Sequence, residues 1–423
     1  MKNLIKWFMV PFLGVSARAV IRRYKPQIVM VTGSVGKTST KDAVAAVLAP
    51  HFFMRKSEKS FNSELGVPFT ILGVENPWGN PIAWLKVVKA TFSLLFLPNH
   101  YPNMLVLEVG ADHPGDLAGI LKICSPDAVV VTRLPEIPVH VEAYASPEEV
   151  REEEFSPAAA LTPSAPLILC ADDPYAIDAG KRVPARVISY GLSSDATIRL
   201  SDVDFHTEEK EVTGMSAKVH IGDDTQTLVV KGSIGLTQLL PAAAALAMAE
   251  ALQIPIVEAM ASLLTYEPPA GRGRLIGGVR GSIIIDDSYN ASPAAVEEAL
   301  TTLQNFPGAK RRIAILGDML ELGRYSAVEH ERIGVAAGKA ADLVIAVGIR
   351  ARAFITAAPE AEVVLFDDSK KAAVELISQI QEGDVVLIKG SQSIRMERIA
   401  QALLADPMDF KKLVRQEKEW KKR

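Results

Sequence analysis

The run "IVMVTGSVGKTSTK" (28–41) constrains this chain more than any other stretch. Five apolar or β-branched residues stop at a glycine turn. Lys37, Thr38 and Ser39 then open a segment, "DAVAAVL", whose apolar spacing is helical. A strand that ends in a glycine turn and passes into a helix is the first unit of a parallel sheet covered by helices. The chain repeats the alternation. "MLVLEVG" (104–110), "DAVVVT" (127–132) and "PLILCA" (166–171) are candidate strands. From about 196 to 232 polar alternation takes over, in "AKVHIGD" and "TLVVKG", and predicts a small antiparallel section. "AAAALAMAEAL" (242–252) reads as a helix.

"EPPAGRGRL" (267–275) has the proline and glycine density of a linker. After it strands and helices resume with "SIIIDDSY", "RRIAILGDM", "DLVIAVG", "EVVLFDD" and "DVVLIKGS". The expected class is therefore α/β. A phosphate-loop central domain (27–268) has a mostly parallel sheet with a small antiparallel section. A Rossmann-like α/β domain (269–423) follows it, and an apolar, basic extension (1–26) precedes it. The tail "KKLVRQEKEWKKR" reads as a charged helix end or a frayed terminus.

The glycine turn suits phosphate. The general pattern GxxxxGK[ST] fails strictly, because Val31 stands at its first glycine. What remains is "TGSVGKTS", residues 32–39. Gly33, Ser34, Val35 and Gly36 can turn backbone amides toward phosphate oxygens, and the helix start favours negative charge. Lys37 can reach the β- and γ-phosphates, the Thr38 hydroxyl can ligate Mg²⁺, and Ser39 completes the turn. The plainer reading is a strand–turn–helix with an exposed lysine. The order of strand, loop and helix favours phosphate binding.

Other strand ends carry chemistry. Glu108 closes a strand in "EVGADHPGDL", where ligands of open α/β sheets bind, and its carboxylate suits a second Mg²⁺. His140 follows another strand. It is either a structural histidine or a metal or substrate contact. Arg272 and Arg274 lie in the linker. Asp286, Asp287, Asn290, Asp318, Lys389, Ser391 and Arg395 lie at strand ends of the second half. Each alone reads equally well as a helix cap. Together they suggest a domain that closes over a nucleotide held by the first.

Composition excludes more than it selects. A net charge of -4 gives no reason to expect nucleic acid. Cys124 and Cys170, the only cysteines, sit in apolar surroundings. That argues against a disulfide scaffold and suits a reducing, cytoplasmic setting. "MKNLIKWFMVPFLGVSARAVIRRYK" is too short, and too interrupted by Lys6 and Pro11, for a membrane span. It is expected either to pack on the body or to lie on a membrane surface, with "AWLKVVKATFSLLFL" (83–97) sharing that surface.

These residues together resemble the Mur ligase family, and within it the MurF type. The resemblance rests on "TGSVGKTSTK", "KSFNSELGVPFTIL", "LEVGADHPGDL", "ADDP", "GRGRL", "DDSYNASPAAVEEAL", "AILGDMLELG" and "KGSQSIRME", and runs from about residue 27 to 404. It implies an ATP- and Mg²⁺-dependent amide ligase working through an acyl phosphate. The expected partners are a muramyl-peptide acceptor and D-Ala-D-Ala, and the enzyme is expected to be a monomer. By the same resemblance Gly33, Gly36, Lys37 and Thr38 hold phosphates and the first Mg²⁺. Glu108 and His140 match ligands of a second Mg²⁺. Arg272 meets phosphate, Asp318 lies near the ribose, and Asn290 faces the reaction centre.

Three positions depart from the family pattern. Only about 26 residues precede the first strand, where the family usually has a domain that grips UDP. Glu154 stands where the family has a carbamylated lysine, so it is either a short-armed carboxylate in its place or part of a solvated "EEVREEE" helix face. Gly235, Leu236 and Leu239 fall where the family tends to place His and Asn near adenine, with Thr237 or Gln238 as substitutes. The departures leave two alternatives to the MurF reading: a Mur-type ligase with another carboxylate acceptor, or an inactive nucleotide-binding scaffold of wall synthesis.

Overall fold

The computed structural model describes residues 2–58, 61–77, 80–358, 361–417 and 420. Two sheets organise the chain. The first contains β1 (Gln27–Thr32), β2 (Met54–Lys56), β3 (Met104–Glu108), β4 (Ala128–Val131), β5 (Pro166–Cys170), β6 (Arg186–Gly191), β7 (Ile198–Glu208), β8 (Glu211–Ile221) and β9 (Asp224–Lys231). Their order is β2-β3-β1-β4-β5-β6-β7-β8-β9. Pairing is parallel from β2 through β7, and β7, β8 and β9 form an antiparallel meander on the same sheet. The β1 segment is buried at every residue after Gln27, as a strand covered on both faces must be.

Register decides where the chemistry falls. Val31 pairs with Glu108, and Thr32 with Val131. Strands β1, β3 and β4 therefore end side by side, and the loop after β1 leaves from the edge that Glu108 closes. The Lys37–Leu48 helix follows the loop and packs on the Leu236–Ala251 helix. That second helix buries an alanine run, Ala242 to Ala245 with Ala247 and Ala249, completely. Small side chains there let it lie close to the phosphate-loop helix at interior density. It begins at Leu236, six residues before the stretch that reads as helical in the sequence.

The second sheet contains β10 (Arg274–Gly277), β11 (Ile283–Asp287), β12 (Arg311–Gly317), β13 (Leu343–Val347), β14 (Glu362–Phe366) and β15 (Asp384–Lys389), in the order β10-β11-β15-β12-β13-β14. All its pairs are parallel except β10 with β11. The linker is tied to the first sheet, because Ile234 N–H donates to the Gly273 carbonyl at 2.8 Å.

The Lys2–Tyr24 helix packs on the body, one of its two expected placements. Leu13, Ala17 and Val20, spaced for one helical face, are fully buried. Its end is fixed by Tyr24, whose hydroxyl donates to the Leu94 carbonyl at 2.8 Å and whose ring stacks on Tyr101. Cys124 and Cys170 are buried free thiols.

Candidate active site

A cleft of about 720 Å³ is lined from both halves of the chain. Ser34 to Thr38 form one wall. Arg272, Tyr289, Asn290, Ser391 to Ser393 and Arg395 face them.

The phosphate loop is shaped by its glycines. Gly33 has φ +116° and Gly36 φ +90°, backbone that L side chains rarely adopt. A Cβ on Gly33 would also run into the Thr132 hydroxyl. Ser34 N–H donates to the Arg133 carbonyl at 2.9 Å, which pins the loop to the chain leaving β4. Gly36 caps the Lys37–Leu48 helix, so loop amides and helix start face the cleft together. Gly33 and Ser39 stand behind this surface. The Gly33 carbonyl accepts from Lys37 Nζ, and the Ser39 carbonyl accepts from the Tyr266 hydroxyl at 3.1 Å.

Glu154 lies against the loop and off the solvated face. On its helix, Pro147–Ala159, Glu148, Glu149 and Glu152 point to solvent while Glu154 is 2% exposed. Its Oε2 accepts from the Ser34 hydroxyl, its Oε1 stands 3.5 Å from Lys37 Nζ, and its carbonyl accepts from Thr32 Oγ1 at 2.7 Å.

Glu108 is 1% exposed at the end of β3. Its Oε1 accepts from the Thr38 hydroxyl at 3.1 Å, and Lys41 Nζ lies 3.7 Å from its Oε2. Burial raises its pKa above the usual carboxylate range, against the opposing pull of Lys41, Lys37, Arg272 and the Thr38 hydroxyl. Oε2 accepts no hydrogen bond from the described residues. A buried carboxylate oxygen without a hydrogen bond, beside a threonine hydroxyl, fits the oxygen set that Mg²⁺ takes. Among the described residues no group of three or more His, Cys, Asp or Glu is placed to hold a metal. A cation here would therefore depend on a few protein oxygens and on substrate phosphate, the usual arrangement for Mg²⁺.

His140 joins the two halves. It has φ +65°, and its Nδ1 is 3.0 Å from Glu321 Oε2, a residue that follows β12. Its Nε2 is 3.4 Å from Asp112 Oδ1. Burial alone lowers the imidazole pKa, but the Glu321 and Asp112 carboxylates outweigh it, so the pKa is raised. Arg133 and Glu298 form a second ion pair between the halves.

Arg272 lies over the Tyr289 ring at 4.3 Å. Asn290 lines the cleft, and its loop is held by Lys389, whose Nζ donates to the Asn290 carbonyl at 3.0 Å and to Asp287 at 2.6 Å. Register explains the pair, since Asp287 lies opposite Lys389. Lys389 and Asp287 are thus structural supports. Asp318 is not brought to the cleft: it is 6% exposed, and its carboxylate accepts from the N–H groups of Ile349, Arg350 and Ala351. Thr237 lines a small cavity with Gly36 and Tyr190, whereas Gln238 is buried, its Oε1 without a hydrogen-bond partner among the described residues.

Sequence reasoning missed Tyr289, Asp112 and Glu321, although each lies within a motif it used. It also missed Trp420, for which the sequence offers no signal. The tail reads as a charged helix end or a frayed terminus, but Leu413, Val414 and Arg415 are buried. Arg415 Nη1 bonds Glu397 at 2.9 Å and the Ser288 carbonyl at 3.2 Å, and Trp420 lines the cleft.

Comparison with known proteins agrees with this arrangement. Residues 31–249 match the Mur ligase middle domain, and 271–392 match the Mur ligase glutamate ligase domain. The UDP-N-acetylmuramoyl-tripeptide–D-alanyl-D-alanine ligase of Mycobacterium tuberculosis is 30% identical over 90% of this chain and 73% of its own. The Bacillus subtilis enzyme of that name is 27% identical over 93% and 79%. The crystal structure of the MurF ligase from Thermotoga maritima in complex with ADP superposes with a TM-score of 0.76 at 27% identity, covering 93% of this chain and 83% of that one. With more than half of the chain matched by the middle-domain model and a relative 30% identical over 90% of it, the chain belongs to the Mur ligase family.

Proposed function

We propose that this chain is an ATP- and Mg²⁺-dependent amide ligase that joins D-alanyl-D-alanine to a UDP-N-acetylmuramoyl-tripeptide in peptidoglycan synthesis. The observation that carries the reading is the cleft: the phosphate loop forms one wall, and Arg272, Asn290 and the 391–395 loop face it. The 27–268 unit holds the nucleotide, and the 269–423 unit brings the amine substrate to it.

The acceptor carboxylate attacks the γ-phosphorus of ATP, and ADP leaves. The resulting acyl phosphate is attacked by the amine of D-alanyl-D-alanine. The tetrahedral adduct loses a proton and expels phosphate, leaving the amide. Positioning and electrostatics carry most of this chemistry. Amides of Ser34 to Gly36 and the helix start bind phosphate oxygens. Lys37 leaves its Gly33 and Glu154 partners to meet the γ-phosphate. Arg272, braced on Tyr289, adds charge from the opposite wall. Thr38 and Glu108 would hold Mg²⁺, which supplies positive charge for the transferring oxygens, and His140 would join them on releasing Glu321 or Asp112. Glu154 sets its carboxylate under the loop, against Ser34 and Lys37, where the family resemblance places a lysine carbamate.

Each chain contains its own cleft, which supports action as a monomer. Buried free thiols and an ATP substrate support a cytoplasmic setting. The test is phosphate release with mass-spectrometric detection of the product. Release that requires ATP, Mg²⁺, muramyl peptide and D-alanyl-D-alanine together supports the proposal. Turnover only with another carboxylate changes the acceptor, and nucleotide binding without turnover on any acceptor overturns the enzymatic reading.

A further inference from the structure

The Pro81–Phe96 helix is apolar on two opposite faces. Its inner face buries Val87 and Leu94 in the core that also holds Leu13, Ala17 and Val20 of the Lys2–Tyr24 helix. Its outer face carries Ile82, Leu85, Phe92 and Phe96, which are 68%, 69%, 57% and 66% exposed. Positions 82, 85, 89, 92 and 96 make one stripe on a helix, and Lys89 lies within it with Lys86 alongside. An apolar stripe of this length is uncommon on a surface that meets only water.

Charge on these two helices is segregated. Neither the 23-residue nor the 16-residue helix contains an Asp or Glu, although the chain has 50 acidic residues and a net charge of -4. Arg22 and Arg23 end the first helix, and Arg23 Nη1 donates to the Leu95 carbonyl at 2.7 Å. That bond fixes a guanidinium beside exposed Phe96 and Leu97. Large apolar side chains flanked by cations, with no anion among them, complement the headgroup and acyl boundary of an anionic bilayer. No helix among the described residues is long and apolar enough to cross a membrane, so the fit is to its surface. A second copy of the same face would set lysine stripes against each other, which opposes self-association.

We propose that the outer face of the Pro81–Phe96 helix, with Arg22 and Arg23, docks on the surface of an anionic phospholipid bilayer. Leu85, Phe92 and Phe96 enter the acyl boundary, and Lys86, Lys89 and the arginines meet lipid phosphate. The surface is separate from the cleft, and the proposal does not depend on the ligase reading.

The test is co-sedimentation of the full chain with phosphatidylcholine vesicles and with vesicles containing about one third phosphatidylglycerol. Partition onto the anionic vesicles should exceed that onto neutral ones by about tenfold or more and fall in high salt. Phe92→Ser with Phe96→Ser should reduce it about tenfold at unchanged Tm, and Lys86→Glu with Lys89→Glu should remove the anionic preference. All four positions are exposed, so the fold should tolerate both pairs. Three outcomes would overturn the proposal: equal or absent partition on the two vesicles, partition unchanged in both variants, or a dimer in sedimentation velocity that the Phe92→Ser, Phe96→Ser pair dissociates without any vesicle binding.

Discussion

Glu154 Oε1 stands 3.5 Å from Lys37 Nζ, with the Ser34 hydroxyl on the other carboxylate oxygen. An anion therefore already sits beneath the loop that must receive an anionic nucleotide. It is compensated by the one lysine that the nucleotide would recruit. Removing a buried charge from such a group is costly in a way that an exposed glutamate never is.

Glu154→Gln keeps the size and removes the charge. Turnover should fall about 10–100-fold with a weaker dependence on Mg²⁺, the usual cost of losing a group that supports a metal site. Glu154→Lys should recover activity only when bicarbonate is supplied, because a lysine must be carbamylated to become an anion. Equal steady-state rates for the wild type and both variants, with and without bicarbonate, would remove Glu154 from the chemistry.

Lys37→Ala should lower kcat by about 10²–10³ or more, as loss of a donor aimed at transferring charge does. Phosphate-release kinetics measure it directly. Near-normal turnover would reject the phosphate-loop assignment.

Gly33 and Gly36 separate two costs of adding a methyl group. Both have positive φ, so each alanine variant pays about 1–2 kcal/mol for backbone alone. At Gly33 the new Cβ also meets Thr132, whereas at Gly36 the nearest atom is 3.9 Å away. Gly33→Ala should thus be the less stable of the two in urea unfolding. Equal midpoints would mean that the loop shifts freely away from β4.

Asp286 gives a pH signature. Burial lifts its carboxyl pKa from 3.8 to about 6, with Ser288 opposing. The folded state then holds a proton that the unfolded state releases, so stability falls as pH rises from about 4 through about 6 and levels off above. Asp286→Asn should flatten that slope, with a gain over wild type at pH 7 of roughly 3 kcal/mol at most relative to the difference at pH 4. Parallel pH–stability curves for the two proteins would show that Asp286 ionises normally.

The architecture was legible in the sequence because parallel strands buried on both faces are written as unbroken apolar runs. β1, β3, β4 and β5 each begin and end within two residues of such a run. The loop was legible for the same local reason. Partnerships between distant segments were not. Nothing in "EEVREEE" distinguishes Glu154 from Glu152, because only the packing of the helix on β1 and the loop turns one inward. Asp318 reads as a free strand-end carboxylate until the 349–351 turn folds over it. Arg415 and Trp420 lie in a charged tail whose docking depends on Glu397 and Tyr289.

That tail also gives the protein an optical readout. Trp420 lines the cleft beside Arg395, with the guanidinium carbons of Arg395 and Arg415 at 5.5 and 5.7 Å from its ring, so its emission reports on a wall of the cleft. Trp84 is remote from the cleft, on the Pro81–Phe96 helix against Phe69 at 6.0 Å. A fluorescence change on adding ATP that disappears in Trp420→Phe, and one on adding vesicles that disappears in Trp84→Phe, would let the occupancy of each surface be followed in a single cuvette without a label.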